Sequence, residues 1–126
     1  MSVAWASGGI QSTPRNLNRF IRAYVGGRLF GRATQRRQLR FVKGHSEPPG
    51  PGANAAGLGI FRYRTACGTV YGHTGAFPGY TQFAASSPSG RRSVTVSVNE
   101  MLQLRDGRRF EALRHAELAA VCAALR

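Results

Sequence analysis

The hydrophobic period of this chain changes from 3.6 to two near Gly57, and that switch limits the folds open to it. Beyond it, residues 57–63, 69–75, 80–87 and 93–99 read as four short strands. The last is the clearest. Val94, Val96 and Val98 alternate with Ser93, Thr95, Ser97 and Asn99, so one face is apolar and the other polar. Pro88-Ser89-Gly90-Arg91 supplies turn chemistry between the third and fourth strands and predicts a hairpin. Before the switch, Ser12-Thr13-Pro14 reads as a hydroxyl cap followed by proline at the first helical position. Leu17, Phe20, Ile21, Tyr24 and Val25 then form one apolar helical stripe, closed by Gly26-Gly27. Arg15, Arg19 and Arg22 fall on the opposite face, where they are expected as a solvated surface.

Between these halves, 33–43 is basic and possible as helix. It runs into Glu47-Pro48-Pro49-Gly50-Pro51-Gly52-Ala53-Asn54, whose prolines and glycines predict an irregular surface loop. Residues 107–125 read as a closing helix, with Leu118, Val121, Cys122 and Leu125 in one sector, Phe110 nearby and Arg114 intruding. No internal repeat is present. The expected fold class is therefore α+β: an antiparallel sheet flanked by an N-terminal and a C-terminal helix, with 1–126 as part of one domain.

A net charge of +13 invites a nucleic-acid reading. The basic residues are nearly all arginine, with Lys43 the single lysine, and they are scattered along the chain, which points to no specific nucleic acid. No apolar run reaches the roughly 18 residues of a transmembrane segment. The opening residues, 1–9, have neither the basic nor the long apolar region of a signal peptide, and the chain reads as beginning in mid-domain. Cys67 and Cys122 lack C-x-x-C spacing, and two thiols alone do not make a structural zinc site. Their spacing leaves open one disulfide or two buried thiols. No metal cluster, phosphate-binding loop or dinucleotide fingerprint occurs, so no cofactor is expected.

The chemistry concentrates in Tyr71-Gly72-His73-Thr74-Gly75-Ala76-Phe77-Pro78-Gly79-Tyr80. A strand carrying His73, Thr74 and Gly75 puts a titratable ring and a hydroxyl beside a residue without a Cβ, where a ligand backbone can approach. This segment lies in an ordered series with Gly57-Leu58-Gly59, Cys67-Gly68-Thr69-Val70, Ser89-Gly90-Arg91-Arg92 and Val94 to Asn99, and with the upstream run Gly8-Gly9-Ile10-Gln11-Ser12-Thr13. The series resembles the serine D-alanyl-D-alanine carboxypeptidases and the class C β-lactamase-related penicillin-recognising hydrolases. The resemblance implies a partial β-lactamase/transpeptidase-like fold and a parent enzyme acting on D-Ala-D-Ala-type peptides or β-lactams outside the cytoplasm. It implies that His73 stands where most members carry lysine, near the substrate carboxylate. Thr74 would offer its hydroxyl to that carboxylate, and Gly75 would complete the substrate-binding strand. Ala76 would donate its backbone N–H as half of an oxyanion hole, a role that needs no particular side chain. It also implies that Cys67 and Cys122 are bridged.

The nucleophile and base of that family are expected in Ser-x-x-Lys and Tyr-x-Asn motifs. Neither occurs here. Arg40 stands three residues before Lys43, and Tyr24, Tyr63, Tyr71 and Tyr80 are followed two places on by Gly26, Thr65, His73 and Gln82. The chain is thus expected to be the C-terminal part of such a hydrolase, inactive alone, with the missing N-terminal part of the domain as its partner. The alternatives are a non-catalytic module binding carboxylates or peptides, and a basic nucleic-acid-binding protein.

Overall fold

A computed structural model describes residues 8–126; the stretch 1–7, on which the signal-peptide reading largely rests, lies outside them. Thr13 caps the first helix, α1 (Pro14–Val25), by accepting from the Asn16 amide at 3.2 Å. Ile21 and Val25 are buried as expected, whereas Phe20 is exposed and leans on Tyr24, their ring centroids 5.7 Å apart. The basic stretch forms a short helix, α2 (Arg32–Gln38), that buries no residue. Its role is local: Gln35 Nε2 donates to the Val25 carbonyl and to the Tyr24 carbonyl, which it shares with the Gly27 amide at the C-terminal end of α1.

Five strands follow, not four. They are β1 (Ala53–Ala56), β2 (Phe61–Thr65), β3 (Gly68–Phe77), β4 (Tyr80–Ser86) and β5 (Ser93–Val98). They form an antiparallel meander in chain order, so β1 and β5 are its edges. The segment expected as an irregular surface loop is corrected in two ways. Its last residues, Ala53 and Asn54, open β1 and pair with β2, and Pro48, Gly50 and Pro51 are buried, as is Ser46 just before it. Burial is tolerated because the backbone finds partners: the Gly50 amide donates to Ser46 Oγ, the Ser46 amide to Asn54 Oδ1, and Arg114 Nε to the Gly50 carbonyl. The turn expected at 88–91 is present, with the Gly90 amide donating to the Ser87 carbonyl at 2.8 Å. Gly90 has φ +69° there, and a Cβ would lie 2.6 Å from Gly26 Cα at the end of α1.

A 3₁₀ turn (Leu104–Asp106) leads into α3 (Arg108–Leu125). The helix buries Phe110, Leu113, Glu117 and Val121, a stripe displaced from the expected one that replaces Leu118 with a carboxylate. The two long helices cover opposite faces of the sheet. Val70, Phe83 and Ala85 pack with Tyr63 and Val121 on the α3 side, while Tyr71, next in sequence to Val70, packs with Ile21, Val25 and Ile60 on the α1 side. Val96 and Val98 meet Leu102, Phe110 and Leu113. A disulfide joins Cys67, in the turn between β2 and β3, to Cys122 near the end of α3, with Cα atoms 5.2 Å apart. No helix among the described residues is long and apolar enough to cross a membrane.

The close approach of β3 and β4 has a measurable consequence. A Cβ on Gly72 would sit 2.1 Å from the Ala84 carbonyl oxygen and 2.6 Å from Ala85 Cα, both backbone atoms that cannot swing aside. Gly72→Ala should lower stability by about 1–3 kcal/mol, the usual cost of overpacking. Urea unfolding will show this as an earlier midpoint, and an unchanged midpoint would mean that the two strands separate freely.

Candidate functional site

The site candidate is the free end of β3. Strand β2 ends at Phe61, opposite Gly72, so β3 continues from His73 to Phe77 with β4 alone as neighbour. The register decides which backbone groups are left over. Phe77 and Tyr80 are joined by the two-residue turn Pro78-Gly79 and therefore form a hydrogen-bonded pair, which makes His73 and Gly75 bonded to β4 as well. The two-residue turn from Thr65 to Gly68 leads to the same alternation, directing the groups of Gly68, Val70 and Gly72 toward β2. Thr74 and Ala76 continue that series past the end of β2. Their backbone groups point to the unpaired edge, and Ala76 is exposed there.

His73 is exposed, its ring 5.0 Å from that of Phe61 in an edge-on contact. Its Nδ1 meets the Thr74 carbonyl oxygen. A carbonyl only accepts, so this contact holds the ring in the Nδ1–H form and leaves Nε2 uncommitted. Gly75 shares the His73 face of the strand, and a Cβ there would meet open space. Nothing among the described residues demands glycine at this position; the room it leaves is beside His73.

Thr74 is placed differently from the other three. Its side chain turns to the α3 side, is 4% exposed, and donates from Oγ1 to the Pro48 carbonyl at 2.6 Å. The hydroxyl therefore anchors the buried 46–51 segment beneath the strand, and a carboxylate would reach it only by displacing Pro48. The sequence reading assigned this hydroxyl to a ligand. It missed the bond because its partner lies 26 residues away in a stretch taken for surface loop.

Under Thr74 lies a polar group in the core that sequence reasoning did not single out. The Tyr63 hydroxyl is buried near Ser46 and Thr74 without meeting hydrogen-bond geometry to either. Burial pushes the Tyr63 phenol up, and those two neighbours hold it back. Glu117, 2% exposed on α3, is pushed up to about 7 by burial, with Arg114 acting in the opposite direction. Its Oε2 has no partner among the described residues. The signal available in the sequence was spacing, since Glu117 falls four residues after Leu113 and four before Val121.

Two clefts lie elsewhere. One is lined by α1 arginines and Ser93; the other runs between Pro51-Gly52 and Glu111, Arg114, His115 and Leu118 of α3. Neither contains a residue of β3. The edge can thus present the backbone N–H groups of Thr74 and Ala76, an imidazole and an open shelf over Gly75, which suits binding an extended ligand and stabilising an oxyanion.

The fold is similar to that of known proteins. The crystal structure of a D-stereospecific amidohydrolase from Streptomyces sp. is similar to 69% of this chain, with a TM-score of 0.60 and 28% sequence identity. The match takes in 25% of that protein, so this chain spans about a quarter of its length. A family model described as Beta-lactamase matches residues 1–118, from before α1 into α3. The five-stranded sheet with a helix on each face is accordingly part of a beta-lactamase-like fold, and the chain belongs to the beta-lactamase family.

Proposed function

We propose that this chain supplies the His-Thr-Gly wall of a serine acyl-transfer site, with the nucleophile and base contributed by sequence outside these 126 residues. The observation that carries the reading is the Ala76 N–H at the unpaired edge of β3, one residue past Gly75 and on the edge nearest His73. A backbone donor fixed in a sheet is preorganised for the negative charge of a tetrahedral intermediate and needs no reorganisation as that charge develops. The His73 Nε2 is then the ring atom left to face a substrate carboxylate. Thr74 supports the strand through Pro48 and holds the donor in place. Substrates of D-Ala-D-Ala type, β-lactams, or other amides bearing a D-residue fit this reading, and the name of the Streptomyces amidohydrolase favours the amide class. A disulfide between Cys67 and Cys122 fits an extracytoplasmic parent.

The test is covalent labelling with a fluorescent penicillin. The 126-residue chain alone should remain unlabelled, because no Ser-x-x-Lys is present to form an acyl-enzyme. Co-expression with a Ser-x-x-Lys-bearing segment encoded beside it should give labelling of that segment's serine. In that complex Ala76→Pro removes the donor at a position not bonded to β4, and should slow acylation by about 10²–10³-fold. Stoichiometric labelling of the chain by itself, or an Ala76→Pro complex that acylates at the original rate, would overturn the proposal. A complex that binds penicillin reversibly without acylation would instead favour a non-catalytic binding module.

A further inference from the structure

The arginines of α1 do more than solvate a surface. Arg15, Arg19 and Arg22 line a single cleft together with Asn18 and Ser93, the first residue of β5. Their spacing of four and three residues keeps them on one side of the helix, spread over about 10 Å of axis. The chain has five carboxylate side chains, Glu47, Glu100, Asp106, Glu111 and Glu117, and none is on α1. Among the described residues, the arginine–carboxylate pairs formed are those of Arg109 with Glu100 and Asp106, far along the chain.

Two further details concern the hydrogen-bonding character of the cleft. Arg22 is half-buried, and its Nε is shielded from solvent with no acceptor in reach among the described residues. An atom that water does not reach receives no ligand oxygen either, so the donors Arg22 can offer the cleft are its terminal NH₂ groups. Asn18 is oriented by Thr95, whose Oγ1 donates to Asn18 Oδ1 at 3.0 Å. That contact occupies the acceptor end of the amide and leaves its NH₂ as the end not engaged by Thr95. The lining therefore consists of three guanidinium groups, an amide donor and one hydroxyl. Guanidinium groups have donors and no acceptors, and they pair with oxyanions in two-point contacts that a chloride cannot make.

We propose that this cleft binds a phosphate-type oxyanion, with Arg22 as its inner contact and the exposed Arg15 and Arg19 at its rim. Several acceptor oxygens on a dianion suit converging donors, and each contact is a charge-assisted hydrogen bond. The net charge of +13 adds long-range attraction. The cleft shares no residue with the β3 edge, so this inference stands independently of the acyl-transfer reading.

The experiment is an NMR titration of the ¹⁵N-labelled chain with inorganic phosphate at constant ionic strength, using chloride as the matched control. Saturable shifts are expected at Arg22 Nε–H and the Asn18 side-chain amide. Arg22→Gln should weaken phosphate binding about tenfold, and so should Arg15→Gln, whose side chain is exposed and whose loss leaves the fold intact. Arg36→Gln on α2, which removes the same charge elsewhere, should leave the affinity within about twofold, as expected for a screened distant charge. Dimethyl phosphate identifies the source of the anion. Much weaker binding than phosphate indicates a free phosphate or a phosphomonoester, and comparable binding indicates a phosphodiester backbone. Shifts that do not saturate beyond the chloride control, or equal weakening by Arg36→Gln and Arg22→Gln, would reduce the cleft to diffuse positive charge and end the proposal.

Discussion

Reducing the Cys67–Cys122 bridge should cost this chain about 4 kcal/mol of folding stability. The two residues are separated by 55 positions, and releasing a loop of that length returns roughly that much conformational freedom to the unfolded ensemble in the chain-entropy estimate. The location adds to the effect. The bridge fastens the β2–β3 turn to the last turns of α3, where Leu125 packs against the cluster around Tyr63 and Val121. A domain of this size has a net stability of about 5–15 kcal/mol, so the loss is a large share of the whole. Urea unfolding of the oxidised chain, the reduced chain and the double variant Cys67→Ser/Cys122→Ser provides the measurement. Reduced and double-variant proteins should agree with each other and unfold well before the oxidised one. If all three share a midpoint, the helix is held by packing and the bridge adds nothing.

The second large effect is a loss of stability with rising pH, traceable to Glu117. Its carboxyl is held at about 7 in the folded chain against an ordinary value of 4.5. Below 4.5 the group is protonated in both states and costs nothing. Between 4.5 and about 7 the unfolded chain releases the proton while the folded chain retains it, so unfolding becomes easier as pH climbs. At 1.36 kcal/mol per pKa unit, the penalty above pH 7 approaches about 3 kcal/mol. The surroundings agree with the sign, since the apolar core around Val121 and Phe83 disfavours the anion and Arg114 offsets only part of that. Glu117→Gln keeps the shape of the neutral acid and cannot ionise. It should match the parent chain at pH 4, exceed it by about 3 kcal/mol at pH 8, and flatten the stability curve between. A parent chain equally stable at pH 4 and pH 8, once the variant has been used to subtract other titrations, would mean that water reaches the carboxylate.

What the sequence disclosed and what it hid follow from where the determining contacts lie. Strand β5 was legible because Val96 and Val98 meet Leu102, Phe110 and Leu113 while Val94 packs on the cluster around Phe83 and Val121, and that one-sided burial is written as alternation. Ala53–Ala56 had no such mark. Alanine and asparagine have little strand preference, and the segment is extended because β2 lies beside it and Val42 bridges to Ala56. The stripe of α3 was misplaced because a carboxylate was not admitted to a core position, although its spacing from Leu113 and Val121 is that of an inward residue. At the site, the strand bearing His73 and Gly75 could be placed from local pattern, although the expected end at 75 left out Ala76, which β3 includes. The commitment of the Thr74 hydroxyl to Pro48 could not, since it depends on how a distant segment is folded under the sheet.

The meander has a further consequence, for the order in which the chain assembles. Every strand pairs only with its neighbour in sequence, so the sheet can grow hairpin by hairpin with short loops to close at each step. Helix α1 is different. It docks on β4 and β5, and its Asn18 meets Thr95 at a sequence separation of 77. During synthesis α1 leaves the ribosome before the sheet does, and its seat on β4 and β5 is complete only once Ser93–Val98 has followed. Until then twelve residues are too few to hold a helix in water without packing, and the arginines keep the unpacked segment soluble despite its Phe20.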